Sequence, residues 1–359
     1  MSRSKPKSHG LPSSRSPLLT RRQLFRGTGG LGAWLLAGLG LSATSCGRQQ
    51  APIVPVGPIE PVAKPPARSR VVAIHDSRLE RSGLICNRKA LEAGLDEGML
   101  LLTGEKTVEA AWRKFFSSDE KVGIKPNGLA APQLGTTTDL INLVIERLVG
   151  IGVKAERIVV WEQLDSRLRN SGLTLNRSTK ATRYLSIAGD FGDPTSFGQF
   201  NGRFGKVVEE IDAIVNLPVL KHHDLTGFTG ALKNHFGSID DPAAYHANGC
   251  DPFVAQVSAH PTIRKKSRLV IFDAMRGQYD KGPQFREEFG FAPGELLLSA
   301  DPVAVDAQAA AIIAKKRAEM KLPALGSATS PVPHIHTAAL YGLGNEDPAR
   351  IELVRKDRG

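Results

Sequence analysis

Between Asp212 and Ile239 the chain reads DAIVNLPVLKHHDLTGFTGALKNHFGSI; the fifteen residues from Lys221 to His235 hold three histidines, two lysines and an aspartate. Neutral imidazoles bind metals or move protons near neutral pH, so His222 and His223 offer either role. In an extended segment the two rings point to opposite sides, and one of them faces the site. Gly227 and Gly230 would let the backbone approach a ligand, with the hydroxyls of Thr226 and Thr229 beside it. Lys233 and Asn234 are expected at the start of a short helix or turn, where free amides favour anions. Lys233 suits a carboxylate or phosphate, or a covalent attachment if its pKa is depressed. The bland alternative is a Gly/Thr loop with solvated charges. The density of Lys, His and Asn after an apolar strand favours a site.

Apolar β-rich runs alternate with helical patterns around this cluster, which implies an α/β fold with a mainly parallel sheet and flanking helices. Strands are expected at 70–74, 121–125, 157–161, 213–217, 268–272 and 295–298. Helices are expected at 88–102, at 138–150 with Thr138 as N-cap, and from Asp301-Pro302 to about 316. The spacing between 121 and 161 suits a right-handed βαβ crossover. About 290 residues from Ser69 onward suffice for one large domain or two joined lobes.

Ligands of open parallel sheets gather beyond the carboxyl ends of the strands. Polar clusters recur there: His75-Asp76-Ser77-Arg78, Lys125-Pro126-Asn127, Glu162-Gln163-Leu164-Asp165, Lys221 to Asp224, then Asp273 and Asp301. Taken singly, His75, Asp76, Asp165 and Asp301 read as turn or cap residues. Their succession suggests a shared rim, with Lys125, Asn127, Glu162 and Asp273 beside the central cluster.

The chain resembles the family called domain of unknown function 362. The resemblance rests on IKPN at 124–127, TTTDLINLVIERL at 136–148, IVNLPVLKHHDLTGFTGALKNHFG at 214–237, FDAMRGQYDKGP at 272–283 and LLLSADPVAVDAQA at 296–309. A narrower run, His223-x-x-x-Gly227-x-Thr229-Gly230-x-x-Lys233, is similar to the loop of nickel-pincer lactate racemases. That similarity implies an acid/base role for His223 and attachment of a pincer cofactor at Lys233. It also implies a nickel ligand at His246, with His235 as the rival. Ala231 and Leu232 stand where that loop has glycine and arginine, and no residue corresponds to the second catalytic histidine. The same spacing also fits a phosphate- or carboxylate-binding loop without the cofactor. Lys125, Asn127, Gly227, Thr229, Gly230 and Asn234 complete the expected substrate-binding set.

Residues 1–46 read as an export signal. Thr20-Arg21-Arg22-Gln23-Leu24-Phe25-Arg26 resembles a twin-arginine signal, a receptor-read address for folded proteins. The apolar segment at 29–41, GGLGAWLLAGLGL, is shorter than the roughly 20 residues that span a bilayer. Ala43-Thr44-Ser45-Cys46 resembles a lipobox, in which Cys46 would be lipidated, although simple cleavage fits the same small residues. Residues 47–68 form a Pro-rich spacer, with six prolines between Gln49 and Arg68. The expectation is a protein on the periplasmic side of a bacterial membrane, lipid-anchored and handled by the twin-arginine translocase during export.

Seven basic and no acidic residues lie in 1–26, so +7 of the net charge of +11 belongs to the signal and +4 remains. That remainder, without a basic stripe, argues against nucleic acid as a partner. Besides Cys46 only Cys86 and Cys250 are present; they either form a disulfide after export or stay separate thiols. No CxxC spacing exists, which excludes a cysteine-ligated iron–sulfur cluster. Two functions fit these features. One is a tethered enzyme, dependent on a transition metal or metal-containing cofactor, that acts on a small anionic substrate by racemase- or isomerase-like chemistry. The other is a periplasmic metal- or ligand-binding lipoprotein without catalysis.

Overall fold

The computed structural model describes residues 60–79, 81–330 and 332–359. The twin-arginine motif, Cys46 and most of the Pro-rich spacer lie outside the described residues. The described residues form one domain around a mixed sheet whose main path has eight strands. In chain order they are β1 (Ser69–His75), β2 (Val122–Pro126), β3 (Ile158–Glu162), β4 (Arg183–Ser186), β5 (Ala213–Leu217), then β7 (Ser267–Gln278), β8 (Glu295–Ser299) and β9 (Ile351–Asp357). Their spatial order is β9-β1-β8-β7-β5-β2-β3-β4. A further strand, β6 (Val219–His223), pairs with the far half of β7.

β8 alone runs against its neighbours; the other seven are mutually parallel. Asp301, just past β8, therefore lies at the opposite end of the sheet from the rim expected for it. There it caps the helix Pro302–Glu319 by accepting from the amides of Val303 and Ala304, and it takes the Ser69 hydroxyl at the start of β1.

Side-chain alternation builds two core layers. Val72 and Ile74 of β1, Val122 and Ile124 of β2, and Leu269 and Ile271 of β7 join one layer. It is covered by the helices Arg88–Thr103 and Thr138–Gly150. Val71, Ile214, Val270 and Phe272 point the other way, toward the helices Pro302–Glu319, Phe253–Ala259 and Pro333–Leu340. No described helix is long and apolar enough to cross a membrane.

Three expectations are corrected here. The helix at 138–150 has Thr137, not Thr138, at its cap position, and neither side chain caps it. The Thr138 hydroxyl instead donates to the Ser171 carbonyl, and the Thr137 amide donates to Asp273. The strand at 268–272 is twelve residues long, and its extra length pairs with β6. Lys221 to His223, expected beyond the end of a strand, accordingly lie in a strand themselves. Pro218 lacks an amide to continue the ladder, yet its carbonyl accepts from Asp273 N at 2.9 Å and the chain resumes along the same neighbour.

Candidate functional site

β2 places Ile124 in one core layer, so alternation sends Lys125 to the other side. Its ammonium sits 3.2 Å from Glu162 Oε1 and 2.6 Å from the Pro126 carbonyl, with both side chains almost fully buried. Glu162 also accepts from the amides of Gly128 and Gln163, at 2.7 Å each. Burial alone would raise the Glu162 pKa, but Lys125, Arg167 and the two amides outweigh it and hold the carboxyl low. Burial drives Lys125 down against the pull of Glu162. A buried pair like this gains little net stability but is costly to break. Gly237 allows it: a Cβ there would lie 2.9 Å from the Lys125 Nζ.

Three asparagines tie β2, β5 and the helix Gly230–Asn234 together. Lys221 Nζ donates to Asn127 Oδ1 at 2.8 Å, and Asn127 Nδ2 donates to Asn234 Oδ1 at 3.0 Å. Asn234 Nδ2 in turn donates to Asn216 Oδ1 at 2.8 Å. Lys221 is completely buried under this ladder, and burial pushes it down to about 7.

In β6 the two adjacent histidines diverge, as an extended chain requires. His222 turns to Ser330, at 3.1 Å, and toward Asp280. His223 faces a cavity of about 210 Å3 shared with Lys125, Asn127, Thr229, Lys233, Asn234 and His246. The ring of His223 lies 6.0 Å from that of His246. His223 Nδ1 accepts the Leu225 amide at 3.1 Å, so a neutral ring carries its proton on Nε2. His246 is the reverse: Nδ1–H donates to the Pro242 carbonyl at 2.7 Å, which leaves a lone pair on Nε2. Burial, reinforced by Lys233, lowers both imidazoles and takes His223 down to about 2, so both are neutral.

The Lys233 ammonium contacts Cys250 Sγ at 3.4 Å and stands 4.2 Å over the Phe236 ring. Burial lowers its pKa against the opposing effect of Cys250. That shift increases the share of free amine, the form a covalent attachment needs. The Thr229 hydroxyl also lines the cavity and is buried without a partner.

Eight of the expected residues thus share one cavity: His223, Lys233, Lys125, Asn127, Glu162, Thr229, Asn234 and His246. Others do not. His235 turns its Nε2 to Asn216 and lines a separate cavity, so it is no rival to His246 here. Gly227 pairs with His223 across a β-turn ladder. Gly230, at φ +67, makes room for Asp306, whose carboxylate accepts from the amides of Ala231 and Leu232. Asp306 thus occupies the amides at the helix start, where Lys233 and Asn234 were expected. Lys233 and Asn234 lie at the other end of that helix.

Asp273 belongs to the opposite face, where it pairs with buried Arg81 at 3.0 Å. Cys86 and Cys250 are both free thiols, one beside Asp139 and the other beside Lys233. Arg167 and Gly237 are among the cavity residues not expected from the sequence. Arg167 arrives from the helix Asp165–Asn170 that follows β3, and Gly237 from the turn after Asn234. A basic residue one turn past a strand end was the available signal for Arg167.

The donor set does not fit a metal held by the protein alone. Among the described residues no three His, Cys, Asp or Glu side chains converge on one point. Both cavity imidazoles have already committed Nδ1 to the backbone.

Residues 122–311 match the family described as domain of unknown function (DUF362). The chain belongs to this family. The matched span runs from β2 into the helix Pro302–Glu319 and so includes every residue placed in the cavity. No curated protein matches the chain.

Proposed function

We propose that this member of the family is an exported, membrane-tethered enzyme that binds a small carboxylate- or phosphate-bearing substrate in the His223–Lys233 cavity and moves a proton on it. The observation that carries the reading is the opposite tautomers of His223 and His246 on one cavity wall. One ring offers a proton at Nε2 and the other offers a lone pair at Nε2. Lys233 and Arg167 supply positive charge for the anionic group, and the Lys125–Glu162 pair is neutral overall. A bound anion would offset the burial that depresses both imidazoles and bring them toward useful acid/base strength. Removal of a proton by His246 Nε2, with His223 Nε2–H donating a hydrogen bond to the negative charge that develops on the substrate and the His246 imidazolium returning the proton, is isomerase-like chemistry.

In a second arrangement, which excludes the first because the metal would take the His246 lone pair and the attachment would remove the Lys233 charge, Lys233 and His246 are the right types, on the same cavity, for the attachment point and single protein ligand of a pincer-type cofactor. Such a cofactor would supply an electrophilic metal centre when bound. The twin-arginine motif supports this reading, since that route carries proteins already folded and loaded. Cys46 followed by a Pro-rich spacer supports the tether.

The test begins with protein recovered from an exporting host, analysed for metals and by intact mass. An adduct that disappears in Lys233→Met supports the cofactor, and metal-free, adduct-free protein overturns it. Small carboxylates and phosphates are then titrated into the wild type, His223→Phe and Lys233→Met. Loss of binding in both variants is expected; unchanged binding in both would place the site elsewhere. Binding without turnover or hydrogen exchange would favour the ligand-binding lipoprotein over the enzyme.

A further inference from the structure

A second cavity, of about 110 Å3, is lined by Asn216, His235, Ser258, Arg264 and Ser267 among apolar side chains, with no carboxylate in its wall. One ordered water needs only roughly 10–15 Å3 of such space, so the cavity has room for a small organic ion. Two polar atoms of its lining residues, His235 Nδ1 and Arg264 Nε, are buried without any partner. Each orphaned buried group costs about 1–3 kcal/mol, so two of them on residues that line one cavity favour an occupant that accepts from both.

The hydrogen-bond ladder determines what these orphans offer. Lys221 has only protons to give, so it meets Asn127 at Oδ1. From there each amide donates to the next, Asn127 to Asn234 and Asn234 to Asn216. Two backbone carbonyls fix the orientations independently: Asn234 Nδ2 also donates to Lys125 O at 3.1 Å, and Asn216 Nδ2 to Ala231 O at 2.9 Å. The ladder ends with Asn216 Nδ2 donating to His235 Nε2 at 3.3 Å. His235 is almost fully buried, and burial holds its pKa down to about 3. It is therefore neutral with its proton on Nδ1. Both orphans are donors, and one belongs to a guanidinium.

We propose that this second cavity is a binding site for a small carboxylate, whose two oxygens accept from His235 Nδ1 and Arg264 Nε. A water molecule could accept both hydrogen bonds but would bring no counter-charge to the guanidinium, in a wall without acidic residues. The carboxylate supplies two acceptors and the counter-charge together. The site is distinct from the His223–Lys233 cavity, although Asn127 and Asn234 of the ladder line that one as well.

Acetate is the probe, titrated into the full chain while the His235 ring ¹⁵N resonances and the binding stoichiometry are followed. The wild type should show an acetate site that shifts His235 Nδ1 and persists in Lys233→Met. Arg264→Gln should weaken that site at least tenfold, and Arg264→Lys should recover part of the affinity. Because Arg264 is only partly buried, its variants are expected to fold, and His235→Phe serves as the second probe. If Arg264→Gln binds acetate like the wild type, or if every acetate site vanishes in Lys233→Met, the proposal fails. An unmoved His235 resonance at saturating acetate would identify the occupant as water and overturn it too.

Discussion

His223 and His246 face each other across 6.0 Å with their protons on opposite nitrogens. Each tautomer is set by the ring's own neighbourhood, the Leu225 amide in one case and the Pro242 carbonyl in the other. The arrangement makes the two residues unequal. Glutamine at 246 keeps a polar side chain but loses the base, whereas glutamine at 223 keeps an N–H donor. His246→Gln should therefore lower turnover, or deuterium exchange into a bound carboxylate, by about 10²–10⁴-fold. His223→Gln should lose less than His223→Phe. Exchange rates measured beside calorimetric affinities decide this, and a His246→Gln protein that exchanges at the wild-type rate would remove the base from the scheme.

Gly230 is required by Asp306 and by its own backbone. A Cβ at that position would lie 2.5 Å from the Asp306 carboxylate, in a residue at φ +67. Gly230→Ala must both occupy the left-handed region and displace the group that holds the Ala231 and Leu232 amides. We expect a loss of roughly 2–4 kcal/mol in urea unfolding, from combined strain and a broken cap. Gly230→Ala unfolding at the wild-type midpoint would show that Asp306 can move away freely.

Asp273 and Arg81 form an ion pair with both side chains fully buried. Asp273→Asn leaves the guanidinium without its counter-charge, and such losses run to about 3–5 kcal/mol. The double variant Asp273→Asn/Arg81→Met should recover most of that loss, because no lone charge then remains inside. Ligand affinity at the His223–Lys233 cavity should be the same in the double variant as in the wild type. A double variant as unstable as the single one would mean that the shape of the pair, not its charge, is what the core needs.

The elements were legible where one rule dominated. The run at 213–217 is apolar and β-rich throughout, and β5 occupies that span. The face of Asp273 was also within reach, since the alternation that sends Leu269 and Ile271 to one layer sends residue 273 there too. Its neighbours in sequence drew attention instead to the strand end. Other features depend on distant partners. Nothing local shows that β8 runs backward and carries Asp301 to the far edge. His235 and His246 could not be ranked, because several irregular turns between them decide which cavity each ring enters. The edge strands β4 and β9 were missed because they contain too few apolar residues to stand out.

His334 is completely buried, and neither ring nitrogen has a partner. Burial takes its pKa down to about 3, far below the roughly 6.5 of an unfolded histidine. Between those values the unfolded chain binds more protons than the folded one, so stability falls as pH drops through about 6.5 to 3. His235, at about 3, and His223, at about 2, add to the same slope. His334→Leu has a similar volume and removes both orphaned nitrogens together with one titration. At pH 8 it should be more stable than the wild type by about 1–3 kcal/mol, the cost of the unsatisfied polar atoms. At pH 4.5 the advantage should be larger, because the wild type alone then resists protonating that ring. Urea midpoints at the two pH values test both statements, and an advantage that shrinks on acidification would mean that His334 is not kept neutral in the folded protein.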